Sequence, residues 1–160
     1  MKKDCMKRTT SVKLFHIVIS LCIGAVTYWI NLRRLYAFPG ITLPCFILPD
    51  WAIPITMICF YILVGKAAAL ISLSGNAEKS DALFIYAVQH GVCFLCCVFF
   101  FHFKEFFLCM CWGLFLLLLA ALMCARFFRC EKNSIKLLIP YHVLLLYCFA
   151  IIFATWLINR

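Results

Sequence analysis

Residues 106–128 read FFLCMCWGLFLLLLAALMCARFF, and this stretch decides the fold class because it is long, apolar and almost free of charge. Arg126, close to its end, is the charged residue in it. At a rise of about 1.5 Å per residue, a helix of this length crosses the roughly 30 Å hydrocarbon layer of a bilayer. The stretch therefore predicts a membrane-spanning helix.

The rest of the chain has the same character on both sides of this stretch. Hydrophobic residues make up 67% of the 160 residues and charged residues 13%, against about 45–50% and about 25% in soluble domains. So few charges cannot cover a water-soluble globule, whereas lipid solvates apolar surface directly. We predict a single all-α domain, an integral membrane bundle of five helices at residues 14–30, 51–73, 82–103, 106–128 and 135–158.

The connection between the first two helices, residues 31–50, differs from the other connections. It contains Pro39, Gly40, Pro44 and Pro49, and prolines at this density oppose regular helix. Several apolar residues accompany them, so we expect the segment, called the first loop below, to pack on the helix ends. The later connections are short and polar, as expected for tight turns between antiparallel helices.

The positive charges lie at the ends of the apolar stretches. The net charge of +9 is therefore explained by topology and contact with lipid headgroups, and we expect no nucleic-acid partner. One side of the bundle carries Lys2, Lys3, Lys7, Arg8, Lys13, Lys79, Arg126, Arg129, Lys132 and Lys136. The other side carries Arg33, Arg34, Lys104 and Arg160. By the positive-inside rule we predict a cytoplasmic N-terminus and an outward-facing first loop, in the plasma membrane.

Three of the polar side chains inside predicted spans, Lys66, Gln89 and His90, lie well away from the helix ends, where each must reach water or a partner. Lys66 either extends to the interface or faces a ligand carboxylate. Gln89 and His90 either make hydrogen bonds between helices or serve a site. For His90, spacing to Cys93 and Cys97 would also allow a metal or haem iron, although nothing else in the chain completes such a site.

Most of the twelve cysteines lie within apolar stretches rather than in polar loops. This placement favours free thiols packed as small hydrophobic side chains, and oxidation sensing by Cys93, Cys96 and Cys97 is the alternative. The six acidic residues all lie at helix ends or in loops, and no nucleophile, phosphate-loop or zinc motif occurs. We predict no catalytic residue and no metal site.

Ala87 and Gly91 form a small-xxx-small pair in the third helix. Such pairs let two helix backbones approach closely within a membrane. The pair makes this helix a candidate surface for close packing, and we expect a homodimer.

Motifs in three of the predicted helices follow one another in a recognisable order. A proline-rich entry, a Trp and a Tyr-x-x-x-Gly pattern correspond to Pro44, Pro49, Trp51, Tyr61 and Gly65. A Leu-x-x-Tyr-x-x-Gln pattern with a later Phe pair corresponds to Leu83, Tyr86, Gln89, Phe100 and Phe101. A Leu-x-Pro-Tyr opening and a Trp-x-x-Asn ending correspond to Leu138, Pro140, Tyr141, Trp156 and Asn159. From about Phe38 to Asn159 the chain resembles the TspO/MBR family, the tryptophan-rich sensory proteins related to the translocator protein.

The resemblance implies a five-helix fold that binds porphyrins, sterols or synthetic aromatic ligands in a cavity under the first loop. Pro49, Trp51, Tyr61 and Gln89 are then the expected ligand-binding residues: Pro49 shapes the loop, Trp51 and Tyr61 stack on a planar ligand, and Gln89 donates to its polar edge. For Trp51, anchoring at the membrane interface is the alternative. The resemblance implies no required cofactor, with a porphyrin or haem-like molecule as a possible ligand.

The chain departs from the family at several pocket positions. The family's tryptophans fall at Met57 in the second helix, Cys96 in the third and Leu144 in the fifth, and family asparagines fall at Cys93 and Ile152. Light-dependent porphyrin degradation, reported for some bacterial members, is thought to use those tryptophans. Because these tryptophans are replaced, the sequence argues against porphyrin-degrading activity. It does not decide whether the protein is an enzyme.

Two functions therefore lead from the sequence. The first is binding of a flat hydrophobic ligand, a tetrapyrrole or a sterol-like molecule, in the cavity under the first loop. The alternative is a membrane regulator or scaffold that acts through partner helices without a small ligand. Porphyrin degradation ranks behind both.

Overall fold

The computed structural model describes the backbone of residues 2–35, 40–49 and 51–160, together with their side chains except those of 2–8 and 31–35. Within these ranges the chain forms helices α1 Lys2–Leu35, α2 Ala52–Leu73, α3 Lys79–Val98, α4 Phe106–Cys130 and α5 Ser134–Ile158. Each of the five contains or forms an apolar segment long enough to cross a membrane. The prediction of an all-α membrane bundle of five helices is confirmed.

Helix α1 is longer than the predicted stretch at 14–30, and its apolar segment runs from Thr9 to Ile30. Lysine, arginine and methionine favour helix nearly as strongly as leucine does, so the polar ends continue the helix beyond the apolar part. Residues 31–35 of the predicted loop are consequently helical. Pro39 of the predicted loop lies outside the described residues, as do the side chains of Lys2, Lys3, Lys7, Arg8, Arg33 and Arg34.

The helices pack around a ring in the order α1, α2, α5, α4, α3, and α3 makes smaller contacts with α1 and α2. The fully packed core lies toward the turns after α2 and α4. Its largest buried side chains there include Ile71, Met123, Phe127 and Leu138. Asn76 in the first of these turns donates to the carbonyl of Arg129 at 3.2 Å. The opposite half of the bundle, beneath the first loop, is packed less completely.

Glycines set how closely α1 approaches α2. A Cβ added to Gly65 would lie 2.8 Å from the Cα of Ile17 and 3.0 Å from the carbonyl oxygen of His16. A Cβ on Gly24 would overlap the ring of Tyr61. In lipid, no hydrophobic driving force brings two helices together. Small residues at such crossings let the backbones approach, and the close van der Waals packing then stabilises the pair. The Tyr-x-x-x-Gly pattern in α2 is thus explained by its contact with α1.

Helix α3 ends in a wider π-helical turn, Phe99–Phe103, before the chain reverses at Lys104. Lys104 adopts a left-handed conformation with φ of 57°, which allows the connection to α4 to be very short. π-helical turns occur mostly as single insertions and often lie at functional sites. Phe100 and Phe101 of this turn face the less packed half of the bundle.

Candidate ligand-binding cavities

The first loop is fastened to α5 at two points. The side-chain amide of Asn159 pairs with the backbone of Thr42 in both directions: the Thr42 N–H donates to Oδ1 at 2.9 Å, and Nδ2 donates to the Thr42 carbonyl at 2.8 Å. The hydroxyl of Tyr147 donates to the carbonyl of Phe46 at 2.8 Å. Asn159 directly follows α5 and Tyr147 lies within it, so the loop is held against this helix from its end inward. The loop therefore forms a side wall against this helix as well as a cover.

An outer cavity of about 260 Å³ lies beneath this loop. Leu43, Ile47 and Leu48 of the loop form one wall, and α1, α2, α3 with its π-helical turn, and α5 form the others. Among the residues that the structure describes, the lining is almost wholly apolar and includes no lysine, arginine, aspartate or glutamate. The cavity thus offers shape and apolar contact but no charge.

An inner cavity of about 120 Å³ continues from the outer one toward the packed core. Its deepest polar residues are Tyr61, His90 and Tyr141. Six residues line both cavities and define what we call the junction: Met57, Cys96, Cys97, Leu144, Cys148 and Ile152. Four of these six residues carry sulfur, so the passage between the cavities is lined by polarizable, apolar and uncharged side chains.

A hydrogen-bonded cluster supports the floor of the inner cavity. The amide nitrogen of Gln89, a fully buried residue, donates to the hydroxyl of Tyr141 at 3.1 Å and lies 3.5 Å from the carbonyl of Leu116. His90 places Nδ1 2.9 Å from the carbonyl of Tyr86, one turn earlier in α3. The ring of His90 packs on the rings of Tyr86 and Tyr61, with centroids 4.4 and 5.7 Å apart.

The four residues predicted to bind ligand occupy different places. Tyr61 lines the inner cavity. Gln89 lines neither cavity but holds Tyr141, which does. Pro49 and Trp51 are exposed and line neither cavity, and Trp51 keeps 71% of its surface accessible. A direct ligand role for these four residues stays a prediction.

Other polar groups weighed from the sequence also have defined positions. Lys66 is exposed on the surface of α2. Among residues 9–30, 40–49 and 51–160, no three His, Cys, Asp or Glu side chains are grouped to hold a metal ion. The cysteines described within those ranges are free thiols.

A comparison with protein families adds to this geometry. The TspO/MBR family profile matches residues 12–157. The chain belongs to the TspO/MBR family. A search of curated proteins gives no match. Membership in the TspO/MBR family agrees with the five-helix membrane fold, and the matched range includes all five apolar segments almost completely.

Four of the five residues that the resemblance aligned with pocket positions of the family lie close together in this structure. Met57, Cys96, Leu144 and Ile152 all belong to the junction, although they come from three different helices. Met57, Cys96 and Leu144, which the resemblance aligns with tryptophans, are each smaller than an indole side chain, so the junction is wider than it would be with tryptophans at these positions. No indole lines either cavity.

The sequence did not single out Tyr147 or Cys148 as site residues, or Tyr141 beyond its place in a motif. On α5, the inward positions 141, 144, 145, 148 and 152 repeat at helical spacing, which is typical of one helix face. The spacing was hidden because nearly every residue of α5 is apolar, so that the inward face does not differ from the lipid-facing one.

Proposed function

We propose that this TspO/MBR protein binds a flat hydrophobic ligand, a sterol-like molecule or the ring of a tetrapyrrole, in the joined outer and inner cavities. The observation that carries the proposal is the pair of adjoining apolar cavities beneath a loop that is fastened to α5. Together they reach the lower end of the roughly 300–1,000 Å³ typical of small-molecule sites.

The lining limits what part of a ligand can enter. Because no charged side chain of the described residues lines either cavity, a carboxylate surrounded by these residues would lose its hydration without gaining a partner. A tetrapyrrole with acidic side chains would therefore have to keep these groups at the mouth. Ligands with an uncharged body fit the whole length of the cavities.

We also propose a plasma-membrane location with the N-terminus in the cytoplasm and the first loop outside, because positive charge concentrates on the side of the N-terminus. A homodimer through α3 forms part of the proposal. Ala87 and Gly91 are exposed, and nothing lies within 4 Å of a Cβ built on Gly91, so this close-packing surface is unused within the chain.

The test is an equilibrium titration of the purified protein with protoporphyrin and, separately, with cholesterol. Saturable binding of either probe is expected, and quenching of tryptophan fluorescence reports on the porphyrin. Leu144→Phe replaces a leucine at the junction with a bulkier aromatic ring and is expected to weaken binding by about 5- to 150-fold, since overpacking typically costs ~1–3 kcal/mol.

The matched control is Leu146→Phe, the same change at a site on α5 that is 57% exposed. This variant is expected to bind like the unaltered protein. If neither probe binds saturably, or if the two variants bind a probe with the same affinity, the cavities are not the binding site. That result would favour the alternative function, a scaffold that acts through partner helices.

A further inference from the structure

The floor of the inner cavity carries hydrogen-bonding capacity that the fold itself does not use. A carbonyl oxygen only accepts, so the nitrogen of His90 that faces the Tyr86 carbonyl must carry the proton. In the neutral ring the other nitrogen, Nε2, is then an acceptor. Within the described parts of the chain, Nε2 has no hydrogen-bond partner, and His90 lines the inner cavity with only 6% of its surface exposed.

Tyr141 presents the complementary group. The Leu116 carbonyl can only accept, which fixes the amide nitrogen of Gln89 toward Leu116 and Tyr141. The Tyr141 oxygen therefore accepts from Gln89 and keeps its own proton to donate. In the described residues no acceptor receives that proton, and Tyr141 is 9% exposed and lines the same cavity.

Tyr61 and Tyr86 differ from this pair because their hydroxyls are already used. The Tyr61 hydroxyl interacts with the side chain of Thr27, and the Tyr86 hydroxyl bonds to that of Ser20. The residues that line the floor thus offer one buried acceptor and one buried donor. Gln89 Oε1, a further buried acceptor without a partner among the described residues, lies behind Tyr141 and does not line the cavity. In an apolar, membrane-spanning site an unused polar group is costly and marks a functional position.

The geometry points to a polar subsite, His90 Nε2 with the Tyr141 hydroxyl, that binds the terminal hydroxyl of an otherwise apolar, uncharged ligand. This inference rests on the proposed function and adds the ligand's chemical class and its orientation, hydroxyl end innermost. A hydroxyl donates one hydrogen bond and accepts others, so it can satisfy both groups. A ketone or ether has no donor for His90, and a carboxylate meets no cation.

The lining of the inner cavity agrees with this assignment. His90 and Tyr141 line the inner cavity together with Tyr61, whose ring centroid lies 5.7 Å from that of His90. The apolar body of the ligand then passes the junction into the outer cavity. Gln89 acts as a positioning residue, because it holds the Tyr141 oxygen from outside the cavity.

The experiment compares two probes with the same body, farnesol and farnesyl methyl ether, on the full-length protein in detergent. We expect farnesol to bind about 5- to 100-fold more tightly, which is the typical range for leaving a buried hydrogen-bonding group unmatched. In His90→Phe the preference should shrink toward equality, because the acceptor that only farnesol can satisfy is gone. Tyr141→Phe removes a donor from which both probe oxygens can accept, so it should weaken the binding of both probes and keep the preference. Tyr86→Phe removes a buried hydroxyl that lies outside the cavity, and it should keep the full preference.

The ratio of the two affinities is the readout because a loss of stability alone changes both affinities together. Equal binding of the two probes by the unaltered protein overturns the subsite while the proposed function stands. A preference for farnesol that survives His90→Phe also overturns it, since the hydroxyl then binds elsewhere. Absence of saturable binding for both probes, together with failure of the protoporphyrin and cholesterol titrations, refutes the proposed function and the subsite with it.

Discussion

Gly65→Ala should destabilise the bundle at the crossing of α1 and α2. The added Cβ would lie 2.8 Å from the Cα of Ile17 and 3.0 Å from both the His16 carbonyl oxygen and the Ser20 hydroxyl. Two of these three atoms belong to the backbone, so a side-chain rotation cannot relieve the clash and α1 must move away from α2. Overpacking in a well-packed interior costs about 1–3 kcal/mol.

Helix propensity acts in the opposite direction, because alanine is favoured over glycine by about 0.8–1.0 kcal/mol within a helix. Gly91→Ala isolates that effect, since nothing lies within 4 Å of a Cβ on Gly91. The difference between the two variants should therefore equal the packing cost, with Gly65→Ala the less stable by about 1–3 kcal/mol.

The assay is reversible unfolding in mixed micelles with increasing SDS, followed by tryptophan fluorescence at protein-to-detergent ratios that keep the chain monomeric. Equal stability of the two variants, or greater stability of Gly65→Ala, would show that α1 and α2 do not meet as closely as described.

Three further predictions concern the loop, the dimer and the topology. Asn159→Ala removes both hydrogen bonds to the Thr42 backbone, so hydrogen exchange in residues 41–49 should accelerate about tenfold or more at ~1 kcal/mol per bond; unchanged exchange would mean that the loop is held by other contacts. Gly91→Leu should lower homodimer formation, measured by energy transfer between labelled chains in liposomes. Ala121→Leu, at another exposed position, should not lower it. Equal effects of the two variants would place the dimer interface elsewhere. Tags at the two ends should be accessible from opposite sides of the membrane, the N-terminal tag from the cytoplasm; labelling of both from one side would contradict an odd number of spans.

The number and type of helices could be predicted from the sequence because a bilayer imposes a simple condition. Each crossing segment must be apolar over a length set by the membrane and must satisfy its own backbone hydrogen bonds. The stretch at 106–128 meets this condition by itself. The family motifs could also be recognised in the sequence, because each is a short local pattern. The extension of α1 to Lys2–Leu35 was not predicted, since polar residues outside the hydrocarbon layer are not subject to that condition.

The candidate site could be predicted only in part. The family resemblance implied a cavity under the first loop and drew attention to Tyr61 and Gln89. It did not show that Gln89 lies behind Tyr141, because which face of an almost uniformly apolar helix turns inward depends on the neighbours around it.

The sequence by itself determined that this is a membrane protein, that it has five membrane-spanning helices, and which family it belongs to. These three properties follow from composition, from the length of the apolar stretches and from the order of the motifs. The tertiary structure decided where cavities remain between the helices. Gly65 brings α1 onto α2, the core fills the half of the bundle near the turns after α2 and α4, and three separate helices supply Met57, Cys96 and Leu144 to one junction. Cavities depend on the fit between side chains that are distant in the chain, and a sequence read residue by residue does not contain that fit.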